Sequence, residues 1–127
     1  MNAITKGVSI SVKVQFLFSQ SNAFEFQYFF QYTISIHNTN DFPVQLKRRH
    51  WNILDSNGEK KEVDGEGVVG ETPVIGQDKV YVYSSGCNLS SDWGKMDGYY
   101  TMLSNHDDRT FLAAIPAFEL VAPWKFN

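Results

Sequence analysis

The segment from Gly65 to Gly70 has the spacing GxGxxG, which binds pyrophosphate where it joins a strand to the N-terminus of a helix. Pro73 follows too closely here for a helix to begin at Gly70, and the nearest charged side chains are carboxylates, which repel anions. We therefore expect the loop to be a structural crossover whose glycines allow sharp backbone turns. The three glycines of this candidate loop are Gly65, Gly67 and Gly70.

A second candidate is a basic and aromatic run on a predicted strand, which we define as the surface of Arg49, His50 and Trp51. Arg49 continues the basic run Lys47-Arg48, and such a run can contact phosphate or an acidic partner. The alternative interpretation is an exposed row that stacks on aromatic neighbours. Because successive side chains of a strand point to opposite faces, only two of the three basic residues can share a face.

The sequence indicates a metal site or a catalytic site less strongly than it indicates the two candidates above. The three histidines are far apart in the sequence, and Asp107-Asp108, with Asp64 or Glu66, offers only a weak divalent-ion site. Cys87 follows Gly86 in a predicted turn without a histidine nearby to act as its base. We predict no catalytic residue, no metal ligand and no cofactor, so the chain is not expected to be an enzyme.

Composition bounds the class of protein. The chain has 127 residues, of which 43% are hydrophobic and 20% charged, as expected for one domain over residues 1–127, with residues 122–127 as a flexible tail. A net charge of −3 argues against nucleic acid as a partner. The single cysteine favours a cytoplasmic location, and no apolar run is long enough for membrane insertion.

Apolar and polar residues alternate over residues 8–18 and again over residues 24–36, which predicts a hairpin of two strands. We expect the even-numbered residues of both segments to face the core, together with Trp51 and Met96. The alternation changes phase within residues 44–54, which predicts a β-bulge.

Further short strands are expected near residues 59–63, 80–83, 99–103 and 111–115, with turns at Gly86, at Gly94 and at residues 105–108. No segment has helical periodicity. The fold class is therefore all-β, an immunoglobulin- or fibronectin-III-like antiparallel β-sandwich of seven or eight strands.

Six ordered motifs over residues 8–123 resemble the ApaG family. The motifs are VQL at 44–46, RHW at 49–51, GEGVVGETP at 65–73, SG at 85–86, GKMDGYY at 94–100 and IPAFEL at 115–120. The resemblance implies a fibronectin-III-like sandwich and an association with cobalt resistance and magnesium efflux. The sequence departs from the family pattern at residues 75–78 and in its tail, and no catalytic residue carries over.

These observations favour a non-enzymatic domain that binds an unidentified protein or small ligand through the glycine loop and the neighbouring aromatic and basic surface. One alternative is a regulatory protein linked to phosphate, nucleotide or divalent metal, and another is a hydrolase of phosphate esters. Exposed aromatic residues and a long first hairpin also predict either a homodimer or a tail that packs on its own protomer.

Overall fold

The computed structural model describes residues 1–126, which form nine β-strands and three short 3₁₀ turns. The strands are β1 (Asn2–Thr5), β2 (Val8–Phe16), β3 (Tyr28–Asn38), β4 (Val44–Asp55), β5 (Lys60–Glu66), β6 (Val74–Ile75), β7 (Val80–Leu89), β8 (Trp93–Ser104) and β9 (Arg109–Val121). The 3₁₀ turns are Phe18–Gln20, Ala23–Glu25 and Pro123–Phe126. No helix in this part of the chain is long and apolar enough to cross a lipid bilayer.

The strands form two antiparallel sheets that pack face to face. The first sheet has the order β1-β2-β3-β7, and the second has the order β5-β4-β8-β9, with β6 paired to the beginning of β4. This is an immunoglobulin-like sandwich, so the predicted fold class is confirmed. On one side Thr5 Oγ1 accepts a hydrogen bond from Ala114 N at 3.2 Å, which links β1 to β9. On the other side β5 and β7 are the edges of their sheets.

The core confirms much of the predicted alternation. The even-numbered residues Val8, Ile10 and Val12 are buried, as are Phe30, Tyr32, Ile34 and Ile36 on the paired strand. Trp51 and Met96 keep only 2% and 1% of their surface exposed. A buried aliphatic or aromatic side chain contributes roughly 1.5–3 kcal/mol to folding, so this register is strongly preferred over one shifted by a residue.

The prediction was wrong between the two strands. Phe18, Phe24 and Phe26 expose 66%, 97% and 69% of their surface. Within β2, the even-numbered Val14 is also exposed, although it pairs with Tyr32. Pairing of β2 with β3 ends at Phe16 and Phe30, and two 3₁₀ turns connect the strands. The Asn22 side chain accepts a hydrogen bond from Phe24 N, and Phe26 is left-handed with φ 56°. Alternation continues in the sequence here, but no neighbouring strand pairs with it.

Two other predictions concern bulges and turns. The predicted bulge in β4 is confirmed, because the register with β8 shifts between Leu46 and Arg48. The predicted turns at Gly86 and Gly94 were wrong: Gly86 lies inside β7 and Gly94 inside β8. These strands pair with their neighbours through the glycines and are about twice as long as their apolar runs suggested, since small residues are also tolerated at paired positions.

The tail packs on its own protomer as far as the structure describes it. The ring of Trp124 meets Phe16 edge-on at 5.3 Å, and its Nε1 donates to Asp92 Oδ2 at 2.8 Å. Lys125 forms an ion pair with the same aspartate at 3.3 Å. The Phe126 side chain and Asn127, which belong to the predicted tail, lie outside the described residues.

Candidate functional site

A groove of about 300 Å³ runs along the open side of the sandwich between the edges β5 and β7. It is lined by Tyr32, Arg49, Trp51, Ile53, Lys61, Val63, Ser85, Gly86, Cys87, Asn88 and Met96. Two contacts join the sheets near its ends. Tyr81 donates its hydroxyl hydrogen to Glu71 Oε2 at 2.9 Å, and Ser90 N donates to Asp55 Oδ2 at 2.7 Å.

Arg49 reaches this groove because of the bulge in β4. The bulge reverses the phase of the strand, so Arg49 lies on the same face as the buried Trp51. Arg49 Nη1 donates to the backbone carbonyls of Glu66 at 3.0 Å and Gly67 at 2.9 Å. The other guanidinium nitrogens have no hydrogen-bond partner within residues 1–126. Two loop carbonyls therefore hold the guanidinium while part of its donor set remains available to a ligand.

Lys61 supplies the second positive charge, and the pattern of β5 explains why the acidic residues of that strand do not share the groove face with it. At one end of the groove, Lys61 also lines an adjoining pocket with Asp55 and Glu59. Lys61, Val63 and Gly65 pair with the inward-facing residues of β4, while the acidic residues alternate with them on the other face. Among residues 1–126, no Asp or Glu lines the groove. No ion pair in the described part of the chain includes Arg49 or Lys61. The groove therefore has a positive local charge on a protein whose net charge is negative.

The glycine loop makes a tight hairpin next to Arg49. Val68 and Glu71 exchange backbone hydrogen bonds of 2.8 and 3.0 Å, and Gly67 N donates to Lys47 O at 2.9 Å. Val69 and Gly70 both have positive φ, 49° and 79°, as in a type I′ turn. The expectation that the loop glycines allow sharp backbone turns is confirmed at Gly67 and Gly70, which both have positive φ. These hydrogen bonds occupy three of the amides that an anion-binding nest would use.

The path of this loop corrects one prediction. Both β5 and β6 pair with β4, so the glycine hairpin remains on the second sheet and is not a crossover. The chain passes to the first sheet at residues 76–79, where Asp78 N donates to Asn38 O at 2.8 Å. Val69 at the tip of this hairpin has a left-handed φ, which is unusual for a β-branched residue. A two-residue turn of type I′ requires a positive φ at both central positions, and Val69 occupies the first of them.

The three residues of the predicted surface do not share a face. Arg49 and Trp51 line the groove, whereas His50 points to the outer face of the second sheet and stacks on Tyr99 with ring centroids 4.8 Å apart. His50 Nδ1 lies 2.8 Å from Asp64 Oδ1, and the hydrogen bond with this carboxylate raises the pKa of His50 above its ordinary value. His50 is therefore separated from the groove by the sheet itself.

The candidate nucleophile is unsuited to catalysis at neutral pH. Cys87 lies in β7 with 9% of its surface exposed, and burial raises the pKa of its thiol to about 11. The thiol is therefore protonated. Further inside the sandwich, the hydroxyls of Tyr83 and Tyr100 form a buried hydrogen bond with each other. Burial raises the pKa of both groups, so they too are neutral.

The histidines remain separate in space: His37 contacts Asp78, His50 contacts Asp64, and His106 stacks on Phe42. Among the residues that the structure describes, no group of three or more His, Cys, Asp or Glu side chains is placed to hold a metal ion. Asp107, in the turn between β8 and β9, accepts a hydrogen bond from Arg109 N at 3.1 Å.

A larger groove of about 460 Å³ lies on the opposite side of the sandwich, beside β2 and β9. Its lining has one basic and one acidic residue, Lys95 and Glu119, together with Met1, Val12, Val14, Ala117 and Phe118. The two side-chain charges balance and most of the remaining side chains are apolar. This groove therefore lacks the charge selectivity of the β5–β7 groove.

Sequence reasoning had not singled out Lys61, Tyr32 or Ser85 as groove residues. One signal was present in β5, where a single basic residue shares its face with Val63 and Gly65 while acidic residues occupy the other face. Tyr32 and Ser85 come from the other sheet. Their proximity to Arg49 depends on sandwich packing, which local spacing does not encode.

The fold and the groove define a small immunoglobulin-like β-sandwich with an open, positively charged side. The ApaG domain family model, DUF525, matches residues 18–104. The chain belongs to the ApaG family. It is similar to Protein ApaG of Shewanella halifaxensis (strain HAW-EB4), with 48% identity over 97% of both chains. It is 46% identical to Protein ApaG of Methylobacterium sp. (strain 4-46), over 95% of this chain and 92% of the relative.

A solved structure has the same fold. The crystal structure of the putative ApaA protein from Bordetella pertussis aligns with a TM-score of 0.88 and 35% sequence identity. The alignment covers 91% of this chain and 94% of that one. The family assignment therefore rests on both sequence and structure.

Proposed function

We propose that this chain is a non-enzymatic binding domain that takes an anionic group of a protein or small ligand into the β5–β7 groove. The observation that carries the proposal is the Arg49 guanidinium, held by two backbone carbonyls and facing a groove whose lining, within the described residues, has no Asp or Glu. A guanidinium fixed in this way loses little side-chain freedom when it binds a carboxylate or phosphate. The proposed compartment is the cytoplasm, as the single cysteine favours.

Lys61 adds a second donor on the opposite wall from Ser85, while the largely buried rings of Tyr32 and Trp51 form the floor beneath the ligand. Such a mixture of apolar walls and few polar groups is typical of a ligand site. The protonated Cys87 thiol and the separation of His50 from the groove favour binding without turnover. The glycine hairpin would then act by positioning Arg49, since its carbonyls and not its amides face that residue.

NMR titration tests this proposal directly. Inorganic phosphate and acetate are added separately at constant ionic strength, and the indole N–H of Trp51 and the backbone amides of Lys61 and Gly86 are followed. We expect saturable shifts in these signals. Replacement Lys61→Ala should weaken binding by a factor of about 10 to 100, since a charge-assisted hydrogen bond contributes about 1.5–3 kcal/mol.

Lys60 provides a matched control on the same strand, because it points to the other face. Replacement Lys60→Ala should leave the affinity unchanged. Equal losses in the two variants, or shifts that do not saturate, would contradict an anion site in this groove. Parallel titrations with ATP, pyrophosphate, Co²⁺ and Mg²⁺ separate the alternatives: hydrolysis would identify an enzyme, and saturable metal binding would support a metal-linked regulator.

A further inference from the structure

The edge formed by β7 differs from the other sheet edges of the described chain. Its ten residues, VYVYSSGCNL, include no charged residue and no proline. They pair with β3 over ten consecutive positions without a register shift. Natural edge strands are usually protected by charge, proline, a bulge or short length, because an unprotected edge pairs with other strands.

The other edges of the described chain each have one of these protective features. β1 is only four residues long and β6 only two, β5 has charged residues along most of its length, and β9 contains Pro116. Of the sheet edges that the structure describes, only β7, which borders the positively charged groove, lacks all of these features.

The backbone groups of β7 show where another strand would pair. In an antiparallel pair, the residues whose N–H and C=O groups point toward the partner alternate with residues whose groups point away. Asn38 N donates to Lys79 O at 3.1 Å, which sets this alternation for the β3–β7 ladder. The residues that point their N–H and C=O groups away from β3 are Val80, Val82, Ser84, Gly86 and Asn88.

We propose that β7 adds an extended acidic peptide as a further antiparallel or parallel strand, with its acidic side chains reaching Arg49 and Lys61 in the groove. This inference rests on the proposed anion-binding function and names its partner. A strand added to β7 lies over the groove, and every second side chain points inward. The unpaired backbone groups give affinity, and the two basic side chains select acidic residues at those inward positions.

A second copy of this chain is the competing occupant, because two uncharged β7 edges can pair with each other. The positive charge of the groove argues against a second copy as the occupant. The β7 strand of a second copy has no acidic side chain for Arg49 or Lys61, and the pairing would bring two positively charged grooves together. An acidic peptide instead neutralises the groove.

The test uses the full chain and three ten-residue peptides. The first alternates valine with glutamate, the second alternates valine with glutamine, and the third is the first peptide with alternate amides N-methylated so that strand pairing is blocked. Amide hydrogen exchange of Val82, Ser84, Gly86 and Asn88 is measured by NMR. At a peptide concentration ten times the dissociation constant, the valine–glutamate peptide should slow this exchange roughly tenfold. The other two peptides should have little effect.

Gly86 offers a matched pair of variants. A Cβ at this position would lie 3.6 Å from Phe30 O, an ordinary contact, so Gly86→Ala should fold and bind the peptide. Gly86→Pro removes an N–H that points away from β3 and should therefore abolish peptide protection while leaving the ladder intact. If Gly86→Pro does not fold, the N-methylated peptide tests the same hydrogen bonds on the native protein.

The outcomes distinguish this inference from the proposed function. Saturable phosphate binding without protection by the valine–glutamate peptide would overturn strand addition and leave the anion site in place. Absence of phosphate binding and of peptide protection would overturn the anion site as well as strand addition. Equal protection by the glutamine peptide would refute selection by charge. Protection that increases with protein concentration in the absence of peptide, accompanied by a dimer in sedimentation, would assign the edge to a second copy.

Discussion

The guanidinium of Arg49 occupies the space beside the Cα of Gly65, its partner across the β4–β5 ladder. A Cβ added to Gly65 would lie 2.7 Å from Arg49 Cζ, closer than a van der Waals contact allows. Arg49 in turn bonds the carbonyls of Glu66 and Gly67. The glycine at this position therefore allows the arginine to hold the base of the hairpin and to face the groove.

Replacement Gly65→Ala should displace the Arg49 side chain without unfolding the protein, since a flexible side chain can move. We expect a loss of about 1 kcal/mol in unfolding free energy, the typical contribution of a hydrogen bond, together with weaker phosphate binding in the groove. Urea denaturation and the NMR titration measure the two effects. A variant with unchanged stability and unchanged phosphate affinity would contradict the proposed role of this contact.

Gly67 should be less tolerant than Gly70, although both have positive φ, 64° and 79°. A Cβ on Gly67 would lie 2.1 Å from the backbone oxygen of Glu71, whereas a Cβ on Gly70 would meet no atom within 4 Å. Gly70→Ala should cost about 1–2 kcal/mol from backbone strain alone. Gly67→Ala should cost more, because the hairpin backbone must also move. Equilibrium denaturation checks the order, and a smaller cost at Gly67 would contradict it.

Val69 stores strain at the tip of the hairpin. It is left-handed with φ 49°, and 66% of its surface is exposed, so its side chain gains little from packing. Asparagine tolerates this conformation much better than a β-branched residue. Val69→Asn should therefore raise the unfolding free energy by about 1 kcal/mol, as measured by urea denaturation. Val69→Ala removes the β-branch but lacks the short polar side chain through which asparagine hydrogen-bonds locally in this conformation, so it should raise the unfolding free energy less. Equal gains would contradict the conformational explanation.

The hydrogen bond between the Tyr83 and Tyr100 hydroxyls joins the two sheets inside the core. Tyr83→Phe leaves the Tyr100 hydroxyl buried without this partner, which should cost about 1–3 kcal/mol. Tyr83→Phe with Tyr100→Phe should cost less than the sum of the single changes, because no hydroxyl is then left unpaired. A double-mutant cycle of unfolding free energies tests this coupling, and strict additivity would rule it out.

Alternation of apolar and polar residues correctly predicted the buried positions where two strands pair regularly. The residues from Val8 to Val12 and from Phe30 to Ile36 follow the predicted period because each inward side chain fills the same core. The same alternation predicted that Phe24 and Phe26 are buried, but both are exposed. A connection has no partner strand to define its faces, so its side chains are not forced inward.

The groove could be predicted only in part. The charge separation along β5 is local, and it places Lys61 opposite the acidic residues of its own strand. The approach of Arg49 to Ser85 and Cys87 depends on the bulge in β4, on the passage between sheets at residues 76–79 and on sandwich packing. These are long-range properties that the spacing of residues along one chain does not specify.

The His50–Asp64 pair gives a prediction about pH. The carboxylate of Asp64 bonds to the His50 ring and raises the pKa of His50 above its ordinary value of 6.5. The folded protein therefore binds this proton more tightly than the unfolded chain does. The resulting stabilisation is fully present below the unfolded pKa and is lost as the pH rises through the higher folded pKa.

Replacement Asp64→Asn should return the His50 pKa toward its ordinary value and remove this part of the decrease in stability as the pH rises from about 6.5. NMR titration of the His50 ring protons and urea denaturation over a pH series measure the two quantities. Asp78→Asn is the matched control, because Asp78 bonds to His37 and should leave the titration of His50 unchanged. A His50 pKa that is the same in Asp64→Asn as in the native chain would show that this carboxylate does not hold the proton.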